Sequence, residues 1–139
     1  MKKKTLNAIK AAGLVLSLSL AVAGTGVTSY AADDTKYSEK LGAGAKITKD
    51  STGATATTTF SRPGTIKATA IAYYAANGKE YYSVDSRSNN MGGASVTVTK
   101  KIDGANVTGG KGEHYVKYGD LSWTPTTTIG IEYKGATKL

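Results

Sequence analysis

The chain has 139 residues, with 18 basic and 10 acidic side chains, 17 glycines, one histidine, one tryptophan and no cysteine. The missing cysteines exclude disulfides, a thiol nucleophile, Cys-based zinc sites and a lipidated cysteine anchor, so the fold must rest on packing alone. A single imidazole means that any histidine-dependent chemistry has to pass through His114.

The chain opens on "MKKKTLNAIK", which carries Lys2, Lys3, Lys4 and Lys10 and no acid, followed by the apolar run "AAGLVLSLSLAVAG". That run is shorter than the roughly 20 apolar residues a membrane span needs and matches a secretory leader. Small residues at −3 and −1, Ser29 and Ala31, place the expected cut after Ala31, so residues 1–31 are expected to be a helical signal peptide. The exported chain then holds 14 basic and 10 acidic residues, a net charge of +4. Its lysines are scattered rather than clustered, so nucleic acid is not an expected partner. Attraction to anionic envelope polymers fits the surplus. No later apolar run reaches membrane-span length and the C-terminus "EYKGATKL" is polar, so a secreted, extracellular protein with no transmembrane segment is expected.

Residues 32–51 are polar and glycine-rich and read as a flexible lead, with "AKITK" as a short edge strand. From residue 52 to 139 the apolar pattern has period two, the signature of half-buried strands. "ATATTTF" puts Ala54, Ala56, Thr58 and Phe60 on one face, and "TIKATAIAYY" does the same for Ile66, Ala68, Ala70, Ala72 and Tyr74. "ASVTVTKKI" alternates Ala94, Val96 and Val98 with Ser95, Thr97 and Thr99. "EHYVKY" and "TTTIGIEY" complete the set, with "NNMGG" and "DGANVTGGKG" read as separators. The expected fold is all-β, a small antiparallel β-sandwich or barrel of about six or seven strands.

Asn77-Gly78 marks a hairpin. A two-residue loop would set Tyr74 opposite Tyr81 and put Ser83 and Asp85 on the apolar face. A three-residue loop with Gly78 left-handed would set Ala72 opposite Tyr82 and Ala70 opposite Val84. The second register matches small to large residues and is the one expected. It also lines up Tyr73 and Tyr81 on the outer face near Lys67 and Lys79, the candidate binding surface, since exposed tyrosines are enriched at interfaces.

Glu113, His114, Asp120 and Ser122 offer a catalytic vocabulary, but Glu113 and His114 point to opposite faces of a strand and Gly119-Asp120 turns the chain. No G-x-S-x-G elbow is present. His114 is expected as a hydrogen-bonded core or rim residue, and Trp123 as a packing anchor whose loss would cost roughly 3–5 kcal/mol if buried. "DSRSNN", Asp85 to Asn90, has calcium-type oxygens but Arg87 among them, and reads as a polar loop. Glu132, between Ile131 and Tyr133, is expected to face solvent. No cofactor, metal or catalytic residue is expected.

The chain as a whole resembles in style the small exported β proteins of Gram-positive bacteria, which include bacteriocins. The leading expectation is a secreted, non-enzymatic β module that binds the cell envelope or a partner protein. The alternatives are a secreted bacteriocin-like or toxin-like antimicrobial and a structural subunit that polymerises through strand edges.

Overall fold

The computed structural model describes residues 27–33 and 35–139. These residues form eleven strands and no helix. In chain order they are β1 (Val27–Asp33), β2 (Thr35–Ser38), β3 (Ala43–Lys49), β4 (Gly53–Phe60), β5 (Thr65–Ala76) and β6 (Lys79–Asn89). They continue with β7 (Gly92–Thr99), β8 (Val107–Tyr118), β9 (Leu121–Trp123), β10 (Thr126–Tyr133) and β11 (Thr137–Lys138). One sheet runs β1-β10-β8-β5-β6-β11 with β9 added beside β8, and the second runs β2-β3-β4-β7. The two sheets pack as a sandwich with more strands than the six or seven expected. All pairings are antiparallel except β11 on β6.

The alternating pattern explains the core. Ala54, Ala56, Thr58 and Phe60 of β4 face Ile66, Ala68, Ala70, Ala72 and Tyr74 of β5, and all are buried. Ala94, Val96 and Val98 of β7 and Val116 of β8 close the same cluster. Alanine is the commonest inward residue, and Phe60, Tyr74, Ile47, Ile66 and Val116 supply the bulk.

Several expectations need correction. Residues 32–51 are not a flexible lead: β2 and β3 belong to the smaller sheet, and β3 lies inside it between β2 and β4. Leu41, Ala43, Ala45 and Ile47 are buried there, because glycines dilute an apolar period that is nonetheless regular. The expected leader lies outside the described residues as far as residue 26, and from Val27 the backbone is already strand, pairing Val27 with Tyr133 and Ser29 with Ile131 of β10.

The hairpin adopts the other of the two registers. Tyr74 pairs with Tyr81 and Ala72 with Ser83. Asn77 at φ 53° and Gly78 at φ 77° form a two-residue left-handed turn, which suits strand twist and which asparagine tolerates. Ser83 on the apolar face is satisfied, because Tyr74 and Ser83 hydroxyls lie 2.6 Å apart. The amide of Lys101 donates to the Tyr74 oxygen at 3.2 Å, tying the loop after β7 to this pair. Tyr74→Phe removes the partner of both groups while keeping the ring, and is expected to cost about 1–3 kcal/mol. The check is a lower urea midpoint at an unchanged slope.

"DSRSNN" is not a loop: Asp85 to Asn89 form the second half of β6 and only Asn90 lies in the turn, and Asp85 Oδ1 accepts the Ser86 amide at 2.8 Å. "VTGGKG" is likewise the start of β8 rather than a separator. Its glycines are there for contact rather than for turning. A Cβ on Gly110 would lie 3.1 Å from the Ala54 methyl, and one on Gly112 would lie 2.5 Å from His114 Nε2.

Candidate functional site

The expected binding surface does not assemble. Tyr73 and Tyr81 lie on opposite faces of the larger sheet, since their register partners are Tyr82 and Tyr74. Tyr81 stacks on Tyr74 toward the core, with ring centroids 6.2 Å apart and planes at 28°. Tyr73 tilts against Tyr82 on the outer face at 6.1 Å and is buried. Lys67 is exposed between Ser88 and Tyr115, six residues along the strand from Tyr73. Lys79 is exposed beside Ala76 at the hairpin end. The single-residue slip of register puts Tyr81 and Lys79 on the face opposite Tyr73 and Lys67, because it reverses the faces of one strand relative to the other.

His114 sits between the sheets at 4% exposure. Its Nδ1 lies 2.8 Å from Thr58 Oγ1 on β4, and its Nε2 lies 2.8 Å from Thr127 Oγ1 on β10. Thr58 already donates its one hydroxyl proton to the Lys67 carbonyl at 2.9 Å. The histidine must therefore donate from Nδ1 to Thr58, leaving Nε2 to accept from the Thr127 hydroxyl. The chain of donors is complete with a neutral ring. Burial first, and the Lys36 ammonium second, hold the His114 pKa down at about 4. The ring has no carboxylate partner and no spare nitrogen, so it joins the two sheets rather than facing solvent. Trp123, on the short strand β9, pairs with Val116 and is half-buried against the core. The cost of Trp123→Ala is accordingly below the range for a fully buried indole.

Glu132 departs from its expected place in solvent. It is only 7% exposed, on the outer face of the larger sheet. Its Oε2 accepts the Tyr73 hydroxyl at 3.3 Å and lies 3.6 Å from both Lys111 Nζ and Lys134 Nζ. Three donors converging on one oxygen make burial of a carboxylate tolerable. Alternation correctly puts Glu132 on the face away from the core; the aromatic and lysine cover of that face is not visible in the local pattern.

Among the described residues no group of three or more His, Asp or Glu side chains could hold a metal ion. Two surface clefts flank the β6–β7 turn, one of about 470 Å³ lined by Gly64, Thr65, Ser88, Asn89 and Asn90, the other, more polar, of about 330 Å³ beside Arg87 and Ser95. Asn89, common to both, spends its amide donors on the Met91 and Gly93 carbonyls at 3.0 and 2.8 Å, which fixes the turn. No described helix is long and apolar enough to cross a membrane.

The fold and these sites define a disulfide-free, two-sheet all-β protein with a polar brace between its sheets. No protein-family model, no curated protein and no solved structure matches the chain.

Proposed function

We propose that the chain is a secreted, non-enzymatic β-sandwich module that binds the cell envelope or a partner protein at its surface. The observation that carries this reading is the state of its surface charge. Lys46, Lys49, Lys67, Lys79, Arg87 and Lys117 are exposed and form no ion pair, while both ion pairs found among the described residues go to Glu132. Unneutralised cations on a scaffold of paired strands favour an anionic partner, and attraction of this kind weakens as salt rises. The one imidazole is committed to the core, which supports a binding role over catalysis.

The test is co-sedimentation of the chain with insoluble Gram-positive cell envelope at low and high salt. Retention at low salt and release at high salt are expected. A chain that stays in the supernatant at low salt overturns the envelope-binding reading, and growth inhibition by that unbound protein would instead favour the antimicrobial alternative.

A further inference from the structure

The strands of the smaller sheet contain three lysines, Lys36, Lys46 and Lys49, and not one aspartate or glutamate. The inward positions of β3, β4 and β7 are apolar apart from Thr58 and the terminal Lys49; Lys36 and Ser38 of β2 share that side, and the outward positions are dominated by hydroxyls. The β3–β4 ladder runs in continuous register from Ala54 to Phe60 of β4, and the β4–β7 ladder from Gly53 to Phe60, both without a bulge. The outward side chains therefore form straight rows across the strands, with neighbours in a row about 4.8 Å apart. One row joins Thr48, Thr55 and Thr97, and the next joins Lys46, Thr57 and Ser95.

The hydroxyls in these rows are held in fixed pairs. Thr55 and Thr97 oxygens are 2.7 Å apart, and those of Thr57 and Ser95 are 3.0 Å apart. Within each pair one hydroxyl donates to the other, which leaves one proton and several lone pairs directed outward. Next to them lies Tyr37, at 66% exposure the most exposed large side chain with apolar area among the described residues. It pairs with Gly44, where the absence of a side chain leaves room for the Thr59 hydroxyl, which would lie 2.7 Å from a Cβ there. The ring is thus presented at the level of the hydroxyl rows, with Lys46 one row away.

We propose that this outward face, with Tyr37 and Lys46 as its principal contacts, docks an extended polyol-phosphate polymer of the cell envelope. The assignment rests on the envelope-binding reading given above and supplies its location and ligand chemistry. Paired hydroxyls donate and accept together, as a polyol requires; a tyrosine ring offers apolar area to C–H groups and a polar tip. A lysine on a face without acids supplies the point charge that phosphate takes. A repeating ligand suits the repeating rows. Single-stranded nucleic acid is disfavoured, since it calls for several stacking aromatics along a clustered basic groove, and this face has one aromatic and one central lysine.

The test measures binding of the whole chain to immobilised wall teichoic acid, with dextran as a neutral polyol and single-stranded DNA as a second polyanion. Tyr37→Ala and Lys46→Gln are each expected to weaken teichoic acid binding by about fivefold or more, a change worth roughly 1 kcal/mol. Lys138→Gln, an exposed lysine on β11 of the other sheet, is expected to leave it unchanged. Both substituted side chains are exposed, and an unchanged thermal midpoint confirms that the variants remain folded. Equal binding to dextran or tighter binding to DNA overturns the ligand chemistry. If the wild-type chain sediments with envelope and the two variants sediment equally well, this face is wrong and the envelope-binding reading stands. If the wild-type chain binds neither envelope nor teichoic acid, both fail together.

Discussion

Lowering the pH from 7 to 4 is expected to remove about 3 kcal/mol from the stability of the fold through His114 alone. The ring titrates at 6.5 in the unfolded chain and at about 4 in the sandwich. Between those values the unfolded state holds a proton that the folded state does not. The stabilisation is therefore complete above pH 6.5, declines as the pH falls toward 4, and is flat below. The groups facing the ring are Thr58 of β4 and Thr127 of β10, both neutral, with the Lys36 ammonium of β2 as the charged neighbour that opposes protonation.

Urea titrations at a series of pH values read this directly. His114→Phe, which keeps a ring in the space, should flatten the dependence across this window while losing the Thr58 and Thr127 hydrogen bonds at all pH values. Asp50 does not confound the reading. Hydrogen bonds from the Thr52 hydroxyl, and then from the Thr52 and Gly53 amides, hold its carboxyl below the ordinary range, so its own loss comes at lower pH. A wild-type midpoint as insensitive to pH as that of His114→Phe would show that the buried ring does not resist protonation.

Gly109→Ala is expected to be the most damaging added methyl among the described glycines, at about 3 kcal/mol or more, above the ordinary cost of overpacking. Its Cβ would fall on the backbone carbonyl of Ile131. Its register partner Gly130 has φ 73°, and a Cβ there would meet the Thr108 carbonyl. Two glycines face each other where β8 and β10 approach closely, and neither backbone can retreat without opening the ladder. The comparison is Gly78→Ala, at a φ of 77° but with nothing around the added methyl, where about 1 kcal/mol of backbone strain is expected. Denaturation midpoints for the two variants, with amide exchange along β10, separate steric opening from turn strain. Equal losses would refute the close approach.

Period-two alternation is enough to assign most of the core. Ala54 to Phe60, Ile66 to Tyr74 and Ala94 to Val98 are buried on the faces that alternation gives them. Glycines are the ambiguous letters. Gly109, Gly110 and Gly112 have the look of loop punctuation, whereas they mark places where another strand or the His114 ring comes too close for a side chain. The hairpin register turns on Ser83, which looks out of place on an apolar face until the Tyr74 hydroxyl satisfies it. That pairing depends on a contact nine residues away in sequence, which no local pattern contains. The threonines on the outward side of β4 and β7 are plain in the alternation, but their assembly into rows depends on the register of three strands.

The alanine lining of the sandwich sets how this sequence can change. Ala43, Ala45, Ala54, Ala56, Ala68, Ala70, Ala72 and Ala94 are all buried where the sheets meet. Removing a methyl from such a wall forfeits little, but adding one or two forces the sheets apart against a close-packed interior. Substitutions are thus filtered by size on the inside and hardly at all on the outside. A lineage built on this chain would keep its small interior while its outward threonines, lysines and tyrosines drift, so new binding preferences could arise without cost to the scaffold.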